Sequence, residues 1–164
     1  MGVAGAAARK HQPITQKLQR FSPTPGQNAD LTLKTSLRSS YLEIKKLRDW
    51  LGNLGEFAGL LPGDLFELRA AAVEAFIYLI EEAYEGEDSG LIKATALVRG
   101  QELRLVLRDF GRQFLKPRLI GMEPPVPDST GHGLLLIRNL ADEVKFHTSL
   151  RRGTAIEIMK YLPE

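Results

Sequence analysis

LIKATALVRGQELRLVLR, residues 91–108, alternates apolar and polar side chains on both sides of Arg99-Gly100-Gln101. A period of two marks a strand, and a short glycine-bearing link turns the chain back on itself. The stretch therefore predicts a β-hairpin, Leu91–Val98 paired with Glu102–Arg108. Working outward, Leu31-Thr32-Leu33-Lys34-Thr35-Ser36-Leu37 shows the same alternation and reads as an edge-type strand. A second hairpin, Glu143–Ser149 with Thr154–Leu162, turns at Arg151-Arg152-Gly153.

Between these strands the period lengthens. Leu42, Ile44, Leu47, Trp50, Leu51 and Leu54 recur at helical spacing, predicting an amphipathic helix from Ser39 or Ser40 to the glycines at 55 and 59. Pro62-Gly63 then turn the chain, with Asp64 as N-cap and Glu67 three residues on, as in a capping box. The helix they open runs to about Tyr84. Leu68, Ala72, Ala75 and Leu79 line one face, while Glu67, Ala71, Glu74, Tyr78, Glu81 and Glu82 form a second stripe. A short apolar helix from Leu134 to about Ala141 follows Gly131-His132-Gly133. The order β-α-α-β-β-loop-α-β-β, with hairpins between most strands, predicts an α+β two-layer sandwich. Its sheet should be mixed and mainly antiparallel, with the helices on one face.

The chain has 164 residues, suited to one domain over residues 30–164. Residues 1–29 carry Pro13, Pro23, Pro25 and Gly26 without apolar periodicity and read as a flexible extension. Net charge is +2, and Arg9, Lys10, Lys17 and Arg20 all precede the first acid, Asp30. The folded part thus shows no basic footprint for nucleic acid. There is no cysteine, which excludes disulfides, thiolate metal sites and thiol nucleophiles. No apolar run reaches membrane-spanning length, and Met1–Ala8 is too short and uncharged for a secretory leader, so a cytoplasmic location is expected. Asp109–Thr130 loses all periodicity and reads as a lid-like loop.

Three fragments carry candidate chemistry: the acidic helix, the strand end Asp109-Phe110-Gly111-Arg112-Gln113-Phe114, and Gly131-His132-Gly133-Leu134 at a helix start. Backbone amides at a helix start attract anions, and a carboxylate at a strand end can accept from the amino group of a flat heterocycle. Each alone is a weak signal; their order is more specific. With Leu68–Ala75 ahead of them and Gly153-Thr154 behind, they resemble the GHKL-type (Bergerat) ATPase domain of anti-sigma regulatory factors, the RsbW and SpoIIAB type of serine kinase. The likeness spans about residues 31–162.

That resemblance implies ATP or ADP as ligand. Asp109 would bind the adenine amino group with Thr154 nearby, and Gly111 would admit the base. Gly131, His132, Gly133 and Leu134 would surround the phosphates, residues 115–130 would form the lid, and Glu74 would be the general base. It further implies a sigma factor or a STAS-domain anti-anti-sigma protein as partner, a serine of the latter as phosphoacceptor, and allows a homodimer. One position departs from the pattern. The family places a magnesium-binding asparagine four residues after the glutamate, where this chain has Tyr78, and a phenol is a poor magnesium ligand at neutral pH. Two readings stay open: an active kinase, and an inactive pseudokinase serving as a protein-interaction module.

Overall fold

The computed structural model describes residues 30–112, 129–148 and 150–163, and for residues 129–132 the backbone alone. Five strands form one sheet in the order β1-β2-β3-β5-β4. They are β1 (Leu31–Arg38), β2 (Leu91–Arg99), β3 (Glu102–Asp109), β4 (Glu143–His147) and β5 (Ala155–Tyr161). All four pairings are antiparallel, so the expected mixture with parallel strands is absent among the described residues. The fold is otherwise the expected α+β sandwich.

Cross-strand register explains the two layers. Leu37 stands opposite Ile92, Ala94 opposite Leu107, Ala96 opposite Leu105, and Leu105 opposite Ile158, so one face is continuously apolar and buried. The other carries Thr32, Lys34, Ser36 and Lys93, all exposed. β1 is an edge, as expected. Its outer rim is guarded by Lys46, whose ammonium donates to the Ser36 carbonyl at 2.9 Å and so discourages further strand pairing.

Three helices cover the apolar face: α1 (Ile44–Ala58), α2 (Pro62–Tyr84) and α3 (Ser129–Leu140). α1 buries Leu47, Leu51 and Leu54, and ends at Gly59 with a left-handed φ of 65°. Leu42 does not share that stripe. Residues Tyr41–Glu43 form a 3-10 turn capped by Ser40, which shifts the phase and leaves Leu42 exposed. α2 starts earlier than predicted. Pro62 occupies its first turn and Leu61 precedes it without a side-chain cap, so Asp64 is not the N-cap. Asp64 and Glu67 instead face Lys160 of β5, at 3.9 and 2.5 Å.

α2 is buried nearly all round its middle. Ala71, Ala72 and Ala75 have no exposed surface, and these small residues let it lie close to its neighbours. The second stripe thus contains two buried residues, Ala71 and Tyr78, on a helix that α3 packs beside. Its C-cap is Glu85, at φ 53° the one non-glycine residue in the left-handed region among the described residues. Glu85→Gly should stabilise the protein by about 0.5–1 kcal/mol, read as a raised urea midpoint, because glycine takes this conformation without a Cβ penalty. The Arg112–Glu85 ion pair that this change removes is largely exposed and contributes little.

Candidate functional site

β3 delivers Asp109 to its end with the side chain on the apolar face, fully buried. One carboxylate oxygen accepts from the Gly111 N–H at 2.9 Å. The other accepts from the Thr154 N–H at 3.1 Å and from the Thr154 hydroxyl. The Asp109 N–H in turn donates to the Thr154 carbonyl at 3.0 Å, closing the pair. A carboxylate offers about four acceptor positions, and these donors take at least three of them. Burial pushes the Asp109 pKa up, and the bonds from Thr154 and Gly111 offset part of that rise.

The loop leaving β3 is pinned to the end of α2. A Cβ on Gly111 would lie 2.3 Å from the Ala83 carbonyl oxygen, so the close approach that requires glycine here is that of the α2 backbone. The Arg112 N–H donates to the Ala83 carbonyl at 3.2 Å and its Nε to the Glu82 carbonyl at 3.0 Å, covering two carbonyls that the helix end leaves unpaired. The Tyr84 hydroxyl donates to the Leu91 carbonyl at 2.5 Å and accepts from the Phe110 N–H at 2.9 Å. Arg152 reaches the Phe110 carbonyl at 3.0 Å. Phe110 itself faces away from the helices, with Arg108 and Lys93 over its ring at 4.9 and 5.4 Å.

Across α2, Glu74 faces α3. Its Oε2 lies 3.3 Å from where a Gly133 Cβ would stand, so glycine lets α3 pass the carboxylate. α3 begins at Ser129, three residues before the glycine-flanked histidine. Gly131 therefore sits in the first turn, whose amides have no partner within the helix. Gly133 and Leu134 sit a turn further on, where amides bond back to the preceding turn. Leu134 is half-buried against the core. The His132 side chain and residues 115–128 of the expected lid lie outside the described residues, as do residues 1–29.

Sequence reasoning missed Tyr84, Arg152 and Lys160. Lys160 shares the inward phase of Ile156 and Ile158, so its place on the core face was legible from parity alone. Burial lowers its pKa, but Glu67, Asp142 and Asp64 outweigh that and leave it raised. Its ammonium also lies 3.4 Å from the Leu140 carbonyl, so it ties the start of α2 and the end of α3 to the sheet. His147, given no role, pairs with buried Glu157 at 2.7 Å on the opposite face.

Among the described residues, the side chains of α2 around Glu74 do not form a magnesium site. Tyr78, one turn on, is 8% exposed and belongs to the hydrophobic core. Glu81 accepts from the Tyr41 hydroxyl at 2.9 Å. Glu82 lies eight residues from Glu74, about 12 Å along the helix, beyond the span of one ion with ligands near 2 Å. Among the described residues no three acidic, histidine or cysteine side chains are gathered for a metal.

Comparisons with known proteins agree with this framework. The anti-sigma F factor of Anoxybacillus flavithermus is 26% identical over 104 residues, 60% of this chain and 70% of that protein. The serine-protein kinase RsbW of Listeria monocytogenes is 26% identical over 142 residues, 82% of this chain and 88% of it. Among solved structures, the RsbU and RsbW domains of a Mycobacterium tuberculosis protein superpose with a TM-score of 0.60 at 18% identity. That match covers 80% of this chain and 32% of the other, and bears on the fold. The model of the histidine kinase-like ATPase domain matches residues 37–160, from the end of β1 into β5. With that much of its length accounted for, the chain belongs to this family, as a GHKL domain of the anti-sigma kinase-like type.

Proposed function

We propose that residues 30–164 form an anti-sigma-type regulatory domain that binds an adenine nucleotide, works in the cytoplasm, and recognises a sigma factor or its STAS-domain antagonist. One observation carries the nucleotide reading. Asp109 is a carboxylate fixed at the end of β3 by Gly111 and Thr154 donors, on the face of the sheet that α3 also covers. A ring amino group donates to Asp109, and the phosphates lie toward the unpaired amides around Gly131. The relatives named anti-sigma factor and RsbW support the partner class. Among the described residues no helix is long and apolar enough to cross a membrane, which agrees with the proposed location.

Isothermal titration with ATP and ADP tests the ligand. Saturable binding at micromolar concentration is expected, and heat that never saturates up to millimolar nucleotide would remove this reading. Co-purification of a sigma factor or a STAS-domain protein with the tagged chain tests the partner.

A second reading, phosphoryl transfer to a partner serine, is favoured by the place of Glu74 against α3, where a general base for the attacking hydroxyl would belong. Serine phosphate on a purified STAS-domain partner, lost in Glu74→Gln, is the result it requires.

A further inference from the structure

We infer that the site takes its nucleotide without a divalent metal, so that ATP and ADP act on this chain as bound effectors. The inference rests on the nucleotide reading above and decides against phosphoryl transfer. It comes from what α2 offers toward α3. Side chains one turn from Glu74 share its face: Ala70 and Ala71 precede it with no ligand to offer, and Ile77 and Tyr78 follow it. That ring is part of the core, packed among side chains with no exposed surface, including Leu79 and Ala75. Turning it out to ligate an ion would open the core, and a neutral phenol is a weak donor to a hard cation even when turned.

The neighbouring acids do not substitute. Glu81 is engaged by Tyr41, and the main chain of Glu82 is held by Arg112, with its Cα two turns from Glu74. Glu74 by itself adds negative charge beside a polyanion. With no second hard ligand on α2 to share an ion with it, metal binding would fall to the phosphates alone, as in water. The affinity of the site must then come from the base, held by Asp109 and Thr154, and from backbone amides. Neither group needs magnesium.

Titrations of the full chain with ATP and with ADP, each in magnesium and in EDTA, test this directly. For the wild type the two dissociation constants are expected to agree within about threefold for each nucleotide. Affinity more than tenfold higher in magnesium overturns the inference while leaving the nucleotide reading intact. Absence of binding under both conditions overturns that reading and this inference together. Tyr78→Phe keeps the packing and removes only the hydroxyl, and should leave all four constants unchanged. A metal dependence that this variant abolishes would instead identify the phenol oxygen as a ligand. Tyr78→Asn, provided its melting curve stays cooperative, should acquire tighter binding in magnesium by tenfold or more. A folded Tyr78→Asn indifferent to the metal would show that the position does not face the phosphates, and would overturn the argument from α2.

Discussion

Gly153→Ala should cost about 3 kcal/mol or more of folding stability, the largest effect expected of a methyl group added to any described glycine. Gly153 has a φ of 72°, where a Cβ is strained, and the methyl would lie 2.2 Å from the Asp109 carbonyl oxygen and 3.0 Å from Asp109 Oδ1. Neither neighbour is a flexible side-chain tip. The carbonyl is backbone at the end of β3, and the carboxylate is held by three bonds. The strained conformation and the overpacking each cost 1–3 kcal/mol in ordinary proteins, and here both act at once. Urea denaturation followed by circular dichroism reads the result directly. A loss below 1 kcal/mol would mean that the turn between β4 and β5 does not pass against Asp109 as described.

Asp109→Ala should abolish adenine nucleotide binding, with affinity falling by at least two orders of magnitude, and should also cost the ligand-free protein about 3 kcal/mol or more. The second loss arises because the Gly111 N–H, the Thr154 N–H and the Thr154 hydroxyl all lose their acceptor in a buried place, at about 1–3 kcal/mol for each left unsatisfied. Asp109→Asn separates the two effects. Its amide keeps one oxygen for these donors but turns NH2 toward the others, so it should fold better than the alanine variant and still bind poorly. If Asp109→Asn binds ATP as tightly as the wild type, the base is not held there.

The same carboxyl gives the ligand-free protein a pH signature. Its folded-state pKa is raised above the ordinary 3.8, chiefly by burial, so the folded state holds the proton more tightly than the unfolded chain. Its contribution to stability is therefore fully present below pH 3.8 and is lost as the pH rises through the folded-state value. Other carboxylates will add their own slopes. The difference between wild type and Asp109→Asn across that window isolates this one, and should show the wild type losing stability relative to the variant as pH rises.

Much of the fold was legible because periodicity reports on burial. All five strands and three helices were predicted, most with ends within two residues, and the hairpin connections identified a mainly antiparallel sheet, though not that every described pairing is antiparallel. The misses have local causes. Asp64 looked like a cap because capping residues and first-turn acids are the same residue types, and only Pro62 in the first turn tells them apart. The burial of Ala71 and Tyr78 in the stripe through Glu74 was not legible, because packing of one helix on another leaves no mark in the sequence of one helix. At the site, Asp109 and Thr154 are drawn together as the motif order implied. Gly111 is a glycine for a reason no motif states, the carbonyl of Ala83. Tyr84, which links β2 to the β3 exit, carries no sequence signal at all, since its partners are main-chain atoms.

The sheet order places β5 between β3 and β4, so the strand made last lies inside the sheet and not at its rim. A ribosome that has released everything up to residue 150 holds a chain whose β4 has nothing to pair with and whose Asp109 still lacks Thr154. Closure of the sheet must therefore wait for β5. A chain cut short ahead of it would leave β3 and β4 without the strand that joins them, and Asp109 without its Thr154 donors.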